Sequence, residues 1–214
     1  MQEPLLLAAE GRMSDLATLP SDFGCILADP PWAFRTFSGE NMTPHRCAED
    51  HYRTMTFEEM AALPVGDRAA KDCALFMWVV GSHLTEAIAF AEAWGFGFKT
   101  DAFYWIKQRL IDAQQVDLFT NDIPEPRMGF GYWTRKQVEP CWLFTRGKPK
   151  RLSAGVRQAI IEPRREHSRK PDCQYDRIQA LVDGPYLELF ARKEHPGWTA
   201  WGNQTDKFPG EVAA

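Results

Sequence analysis

Cys25-Ile26-Leu27-Ala28-Asp29-Pro30-Pro31-Trp32 joins an apolar run to a carboxylate, two prolines and an indole. Residues 25–28 predict a short buried strand, and open α/β sheets carry their chemistry in the loops that follow strand ends. Proline fixes its own φ at about −65° and restricts the residue before it, so the two prolines predict a stiff turn. That turn would present two acceptors, the Asp29 carboxylate and the Pro30 carbonyl, with few donors to compete for them.

A turn of this composition can hold an exocyclic amine on a planar ring. Asp29 and the Pro30 carbonyl can accept the N–H groups of the amine, and Trp32 offers a flat face on which the ring can stack. The alternative interpretation is that Asp-Pro-Pro only ends a strand in a turn. The strand before this tripeptide and the indole after it favour a functional site.

Strand and helix patterns alternate along the chain and predict an α/β fold, with a twisted, mostly parallel sheet and helices on both faces. A capping-box pattern at 56–59 opens one helix, Ser82 can cap a second that ends at Gly95, and Pro171 starts a third. In the strand over 138–144, Glu139-Pro140 indicates a bulge or an edge position, because proline cannot donate to a ladder. The other predicted strands are 74–80, 102–106, 156–161, 186–191 and 198–201.

We expect residues 1–214 to form a single domain with two long irregular segments, 33–54 and 107–135. The first follows the proline turn directly and is a candidate lid. The net charge of −4 argues mildly against a nucleic-acid partner, yet residues 135–170 carry eleven Lys and Arg against three Glu. One basic lobe on an acidic body is compatible with nucleic-acid binding. Tyr132 and Trp133 end a Gly-aromatic run next to this lobe, which indicates either loop packing or base stacking.

Composition limits the other classes of protein. No apolar run reaches the roughly 18 residues of a membrane span, and the N-terminus lacks a basic segment before its short apolar run, so we expect a cytoplasmic protein with no membrane partner. The five cysteines are scattered without a C-x-x-C pair, which predicts reduced thiols. His45, Cys47 and His51 have no fourth ligand at zinc-site spacing, so we expect no metal.

The chain resembles the MT-A70 family of S-adenosylmethionine-dependent adenine N6-methyltransferases, and in particular the bacterial or phage members of that family. Asp29-Pro30-Pro31-Trp32 is similar to the catalytic tetrapeptide of the family, and further motifs follow in family order. The resemblance covers nearly the whole chain and implies a Rossmann-like methyltransferase fold in permuted order, with the catalytic motif before the cofactor motif. It implies S-adenosylmethionine as the cofactor, although no G-x-G-x-x-G is present. The downstream motifs are Leu75-Phe76-Met77-Trp78-Val79, Lys170-Pro171-Asp172, Glu188-Leu189-Phe190-Ala191-Arg192 and Gly202-Asn203-Gln204.

The resemblance also implies roles for single residues. The catalytic set is Asp29, Pro30, Pro31 and Trp32. The cofactor set is Lys170 near the methionine carboxylate, Glu188 and Arg192 at the ribose, His195 beside them, and Asn203 and Gln204 at the terminal contacts. Glu139 matches a carboxylate near the substrate base, and the remaining substrate-binding candidates are Tyr132, Trp133, Arg164, Arg165, Ser168 and Arg169.

Methylation of adenine N6 in DNA is the preferred interpretation, because a compact chain with an intact catalytic turn resembles the bacterial and phage members. RNA is the nearest alternative, since the family contains RNA enzymes that would use the same pocket. A second alternative is methylation of a protein glutamine or of a free base, although the corresponding turn in such enzymes usually begins with Asn. A catalytically silent nucleic-acid-binding subunit of the same fold is a third, and its catalytic turn would be broken. We expect a monomer or a homodimer.

Overall fold

The computed structural model of the chain describes residues 16–32, 55–108, 126, 133–165 and 169–202. These residues form a seven-stranded sheet in the order β5-β3-β4-β2-β1-β6-β7. The strands are β1 (Phe23–Ala28), β2 (Ala69–Trp78), β3 (Gly97–Gln108), β4 (Val138–Arg146), β5 (Ala159–Pro163), β6 (Tyr186–Leu189) and β7 (Trp198–Trp201).

All neighbouring strands pair in parallel except at β4, which runs antiparallel to both β2 and β3. The prediction of a mostly parallel sheet is therefore confirmed, but the prediction of an edge position for the strand with Glu139 and Pro140 is wrong. β4 lies inside the sheet. The carbonyl of Pro140 accepts the N–H of Val79 at 2.9 Å, one residue beyond the end of β2. The missing N–H of the proline consequently falls where the β2–β4 ladder is ending, so an interior strand can tolerate it.

Helices cover both faces of the sheet, as predicted. Helices α1 (Phe57–Ala61), α2 (Val65–Arg68) and α3 (Leu84–Ala93) lie on one face, and α4 (Cys173–Leu181) lies on the other. The apolar side chains of each strand alternate between two buried clusters, one under α3 and one under α4. Because side chains alternate along a strand, each strand residue faces either the α3 side or the α4 side of the sheet.

The predicted helix ends are confirmed in part. The capping box at the start of α1 is confirmed, because Thr56 and Glu59 exchange side-chain and backbone hydrogen bonds. The prediction of Ser82 as a cap is wrong: a single 3₁₀ turn, Gly81–His83, precedes α3, and the cap residue His83 makes no side-chain capping bond. Gly95 follows α3 with a φ of +87°, the left-handed conformation in which glycine commonly ends a helix.

The topology places a crevice beside β1. The chain leaves β1 for its neighbour β2 through α1 and α2 on one face, and it reaches the opposite neighbour β6 through α4 on the other face. Two neighbouring strands whose connections depart in opposite directions leave an open crevice at their carboxyl ends, where α/β proteins bind their ligands. None of the described helices is long and apolar enough to cross a bilayer.

Candidate active site

An open cleft lies at the carboxyl ends of β1 and β6. The walls combine apolar residues of the strand ends with a dense set of charged side chains from the segments around α4. The lining residues are Leu27, Asp29, Trp78, Arg169, Lys170, Asp172, Gln174, Tyr175, Glu188, Phe190, Arg192 and Lys193.

The proline turn places Asp29 in this cleft, directly after the last residue of β1. The carbonyl of Pro30 accepts the N–H of Trp32 at 2.8 Å, which closes a three-residue turn. A carbonyl oxygen has two lone pairs, so Pro30 keeps capacity for one more donor. Met55 N–H donates to the carbonyl of Pro31 at 3.4 Å, which ties the turn to the chain before α1.

Trp32 does not offer the free face that the sequence suggested. Its side chain is 4% exposed and belongs to the cluster under α3, where its ring packs 5.3 Å from that of Phe90 and 5.7 Å from that of His83. The indole N–H donates to the carbonyl of Trp78 at 3.2 Å. Because indole is large and apolar, burial in the core is its favoured state. Trp32 therefore acts as the anchor of the turn, joining it to the end of β2.

The carboxylate of Asp29 is paired with the ammonium group of Lys170. The two distances are 2.8 Å and 2.7 Å, and Lys170 also lies 3.6 Å from Glu139. Glu139 in turn pairs with Lys107, so two carboxylates and two ammonium groups alternate along one chain of contacts. Lys170 also lies over the ring of Trp78, 5.6 Å from its centroid. The interior end of the cleft is thus lined by charges that balance one another.

The pKa shifts agree with this arrangement. Burial alone would lower the pKa of Lys170, but the Asp29 and Glu139 charges outweigh it and raise that pKa. Burial alone would raise the pKa of Glu139, and the Lys170 and Lys107 charges reverse this and lower it. Lys170 stays an ammonium and Glu139 stays a carboxylate at neutral pH, which favours a fixed electrostatic role for both over proton exchange.

Glu139 lies 3.6 Å from Lys170, which lines the cleft, because β4 runs against its neighbours. The parallel strands β1, β2 and β6 end at this edge of the sheet, whereas β4 begins there, and Glu139 is its second residue. Lys107 is the next-to-last residue of the long strand β3. Glu139 is predicted to lie near the substrate base; the structure shows that it contacts Lys170, which also binds Asp29.

Glu188 on β6 accepts the hydroxyl of Tyr175 on α4, at 3.0 Å and 3.2 Å to its two oxygens. Burial raises the pKa of Glu188 to about 7, the Tyr175 hydrogen bond opposes the rise, and the Asp29 charge adds to it. The ring of His195 stacks on Tyr175 with centroids 3.9 Å apart and planes 9° from parallel. Burial and the Lys193 charge lower the pKa of His195, so this stacked ring is neutral at physiological pH.

The chain after β6 forms the outer wall of the cleft. Phe190 has a φ of 62°, a conformation that costs a non-glycine residue energy and is common at functional sites. Arg192 also lines the cleft. A Cβ at Gly202 would overlap the backbone of Ala191, so only glycine allows the close approach of the chain after β7. Asn203 and Gln204, predicted to hold the cofactor, lie outside the described residues.

A second carboxylate gathers cations at the rim of the cleft. Asp172 accepts Arg165 at 2.8 Å, Arg169 at 2.9 Å and Lys193 at 2.8 Å. Asp172 occupies the cap position of α4 without making a side-chain capping bond, because its oxygens are taken by these cations. The rim therefore carries three cations around one carboxylate.

The substrate-binding candidates divide between the rim and the surface. Arg165 and Arg169 belong to the rim cluster, and Arg164 is half-buried beside it. Trp133 is 95% exposed, five residues before β4 begins. Tyr132, Ser168 and the potential metal ligands His45, Cys47 and His51 lie outside the described residues. In the described part of the chain no cluster of His, Cys, Asp and Glu has the arrangement of a metal site.

The sequence profile of one protein family matches this architecture from β1 to the end of the cleft wall. The MT-A70 family model aligns with residues 23–204. The chain belongs to the MT-A70 family. The aligned range begins at the first residue of β1 and ends just beyond Gly202, so it contains every strand of the sheet and the cleft itself.

Several curated relatives agree with the MT-A70 assignment. Type II methyltransferase M.MunI of Mycoplasma sp is 33% identical over 193 residues, which cover 83% of this chain and 75% of the relative. An N(6)-adenosine-methyltransferase MT-A70-like protein of Arabidopsis thaliana is 30% identical over 90% of this chain and 24% of its own length. The N(6)-adenine-specific methyltransferase METTL4 of Mus musculus is 27% identical over 97% and 42%. The chain thus spans three quarters of the first relative and less than half of the other two.

The cleft fits the cofactor that an MT-A70 methyltransferase implies. S-adenosylmethionine carries a ribose diol, a carboxylate and a sulfonium cation. Glu188 offers acceptors to a diol, Arg192 and Lys170 offer donors to a carboxylate, and Asp29 offers a compensating charge to a sulfonium. All four side chains face the same cleft.

Four cleft residues of this MT-A70 chain had no role predicted from the sequence. Tyr175 binds Glu188, and Asp172, which was predicted only as part of the Lys170-Pro171-Asp172 motif, binds three cations. Gln174 is buried and accepts the indole N–H of Trp78 at 2.8 Å, while Lys193 binds Asp172. The signal available in the sequence was a polar residue inside the apolar face of a helix, which for Gln174 indicates a specific buried partner.

Proposed function

We propose that this protein transfers a methyl group from S-adenosylmethionine to the N6 amine of adenine in DNA. The reaction class, adenine N6-methylation, follows from membership of the MT-A70 family and the names of the relatives. The observation that carries the proposal is the position of Asp29, held by a proline-locked turn at the end of β1 and open to a charged cleft.

Asp29 acts as the acceptor that prepares the amine. The N6 lone pair of adenine is delocalised into the ring, so the nitrogen must become pyramidal before it can attack a methyl group. An acceptor fixed at the N–H positions stabilises that geometry more in the transition state than in the ground state. Asp29 binds Lys170 through both oxygens, but a carboxylate has about four acceptor sites. Asp29 can therefore receive an N–H without releasing Lys170.

The Lys170 ammonium fixes the orientation of Asp29 and does not receive the amine proton. Its raised pKa keeps all three of its protons in place at neutral pH. Two of its contacts, to Asp29 and Glu139, bridge the catalytic turn and β4. The two carboxylates are consequently held at a fixed separation on either side of the position proposed for the target amine, which aligns the reacting groups.

The cofactor supplies an electrophilic methyl group on a sulfonium. On this proposal Glu188 and Arg192 would hold its ribose with His195 beside them, and Lys170 and Arg192 would bind its carboxylate. The family resemblance assigns the remaining contacts to Asn203 and Gln204, which lie outside the described residues. This assignment is supported by the cleft, because Asp29, Glu188 and Arg192 all line it.

The target adenine enters from the side of β4 that carries Glu139, next to Lys170 and Arg169 of the cleft. Of the predicted basic lobe, Arg146, Lys148, Lys150 and Arg151 lie at or after the opposite end of β4 and are not assigned to this entry. The base must be everted or single-stranded, because duplex stacking hides the amine, and eversion costs a few kcal/mol. Trp32 is buried and supplies no stacking energy to offset that cost. We assign the stacking of a base to Trp133, whose exposed indole precedes β4, and the binding of the strand to the cations Arg164, Arg165 and Arg169.

DNA is preferred to RNA because the chain is 33% identical to the Type II methyltransferase M.MunI and 30% identical to the adenosine methyltransferase of Arabidopsis thaliana. The test is transfer of a tritiated methyl group to matched DNA and RNA oligonucleotides, followed by nucleoside identification. We expect N6-methyldeoxyadenosine as the main product. Labelled N6-methyladenosine from RNA alone would exclude DNA and keep the reaction, whereas no labelled nucleoside from either would sink the proposal.

A further inference from the structure

The rim cluster around Asp172 is assembled from three separate places in the chain. Arg165 and Arg169 precede α4, Asp172 stands at its start, and Lys193 follows β6. Arg169 and Lys193 line the cleft together with Asp172, whereas Arg165 lies outside it. Side-chain exposure rises in the same direction, from 10% at Arg169 to 32% at Arg165. The cations therefore form a path from the inner wall to the surface.

Asp172 holds these cations without neutralising them. The cluster contains one carboxylate, two guanidinium groups and one ammonium group. Burial alone would raise the pKa of Asp172, but the hydrogen bonds from Arg165 and Lys193 outweigh it and lower that pKa well below its ordinary value. A guanidinium carries five N–H donors and an ammonium three. Asp172 engages one donor nitrogen of Arg165, and it engages Lys193 through one of its two oxygens.

We propose that Asp172 is a positioning residue that holds Arg165, Arg169 and Lys193 as a preformed cradle for a phosphodiester of the nucleic-acid strand. The strand is the one whose adenine enters the cleft, so this inference rests on the proposed nucleic-acid substrate. Ordering three long side chains before binding lowers the entropic cost of binding. The cradle binds the backbone and positions it, and it carries no sequence information.

A phosphodiester fits the rim better than the carboxylate of the cofactor does. A base that enters the cleft leaves its phosphates at the mouth, where Arg165 lies. The inner wall already contains Lys170 and Arg192, which can bind a carboxylate without help from the rim. Guanidinium groups also bind phosphate oxygens in a bidentate geometry.

A second account of Asp172 makes the opposite prediction. If Asp172 only reduced repulsion among the cations, its removal would leave the rim more positive, and nucleic acid would bind more tightly with a steeper salt dependence. If Asp172 positions the cations, its removal lets them disperse into solvent, and binding weakens with a shallower salt dependence. The sign of the change therefore distinguishes the two accounts.

The experiment compares Asp172→Asn with Asp176→Asn, a matched control that removes the same charge from the exposed side of α4. The probe is a fluorescein-labelled 16-nucleotide thymidine strand with one central adenine, prepared as DNA and as RNA. Binding is read by fluorescence anisotropy at several salt concentrations with S-adenosylhomocysteine present. Thermal melting and S-adenosylhomocysteine affinity verify that each variant is folded with an intact cofactor site.

For Asp172→Asn we expect the dissociation constant to rise about tenfold and the salt slope to fall by about 1 to 2, since each single-strand phosphate contact contributes about 0.7. Asp176→Asn should leave the slope unchanged or make it slightly steeper. Replacing a phosphate beside the adenine with a neutral methylphosphonate should weaken binding to the unsubstituted protein and have little further effect on Asp172→Asn. That lack of additivity assigns the effect to a phosphate contact.

An unchanged or tighter complex with Asp172→Asn would overturn the cradle, as would equal methylphosphonate effects on both proteins. A loss confined to S-adenosylhomocysteine affinity would reassign the cations to the cofactor and also overturn it. The DNA and RNA strands share the phosphodiester, so preference for RNA would contradict the proposed DNA substrate and leave the cradle standing. A protein that binds neither strand would overturn both.

Discussion

The interior and the rim of the cleft each contain a carboxylate paired with cations, but the two ends differ in charge. At the interior, Asp29 and Glu139 face Lys170 and Lys107, so two negative and two positive groups alternate. At the rim, Asp172 pairs with three cations. Counted over these described pairs, the first arrangement is balanced and the second has more cations than carboxylates.

This difference suits the two charged partners that the proposed reaction requires. A sulfonium is positive, and a balanced interior with a paired carboxylate accepts it without repulsion. A nucleic-acid backbone is negative, and a rim with excess cations attracts it before the base enters. One cleft can thus admit a cation and an anion because its two ends carry different fields.

Removal of Lys170 should have the largest effect on stability, because it breaks the balance at the interior. Lys170→Met leaves Asp29 and Glu139 without their shared partner, and breaking a buried ion pair costs about 3–5 kcal/mol. We expect urea unfolding at pH 7.5 to show a loss of this size, and a smaller loss at pH 5, where the carboxylates can take up protons. A loss below about 1 kcal/mol at both pH values would mean that the interior does not depend on this pair.

Removal of Asp29 tests the other half of the same pair. For Asp29→Ala we expect kcat to fall by about 10²–10³, the cost of one transition-state hydrogen-bond partner. Lys170 keeps Glu139 as a partner, so the fold and cofactor affinity should change little. Single-turnover methyl transfer measures the first effect, and thermal melting with S-adenosylhomocysteine titration measures the second. Turnover comparable to that of the unsubstituted protein would remove Asp29 from its proposed role.

Trp133 tests whether contact with the substrate extends beyond the cations of the rim. Trp133→Ala should weaken single-strand binding by about 1–3 kcal/mol, the range for one base stacked on an aromatic ring. Trp133→Phe keeps a ring and serves as the matched control, which we expect to retain most of the affinity. Anisotropy titration with the same labelled strand gives both values. Equal affinities for the two variants would show that the indole does not stack on a base.

The effect of Glu188 appears as a pH dependence of stability. Burial raises its pKa to about 7, so the contribution of its neutral form to stability is fully present below its ordinary value of 4.5 and is lost as the pH rises through about 7. We expect the unfolding free energy of the protein to decline between pH 5 and pH 8 relative to that of Glu188→Gln, which cannot ionise. Parallel profiles would contradict the raised pKa. Asp172 at the rim has the opposite sign, because its lowered pKa stabilises the fold above its ordinary value and the contribution is lost in acid.

The sequence predicts well those features that depend on neighbours along the chain. The apolar run over 25–28 and the prolines after it specify β1 and its turn, and the capping box at 56–59 specifies the start of α1. The alternation of strands and helices predicts the layers. The ordered motifs predict which strand ends meet, because the carboxyl ends of parallel strands share one edge.

Features that depend on distant partners could not be predicted in this way. The direction and interior position of β4 are set by pairing with β2 and β3, which the local pattern around Pro140 does not reveal. Trp32 is buried because Phe90 and His83 come from another segment to cover it. Asp172 becomes the centre of the rim only when Lys193 arrives from beyond β6. Periodicity describes a residue's own element and does not describe what packs against it.

The reversed direction of β4 has a consequence for how such an enzyme can change its target. β4 enters the sheet at the edge where Asp29 lies, so the residues just before it, including Trp133 and Gln137, approach that edge from outside β1, β6 and β7. The side-chain amide of Gln137 donates to the carbonyl of Pro126 at 3.0 Å, which ties this approach to another segment of the chain. On the proposed function, substitutions and length changes in this approach would alter which strand is selected, while β1, β6 and β7 would keep the proposed methyl-donor site unchanged. Specificity and chemistry can therefore diversify on separate parts of one small sheet.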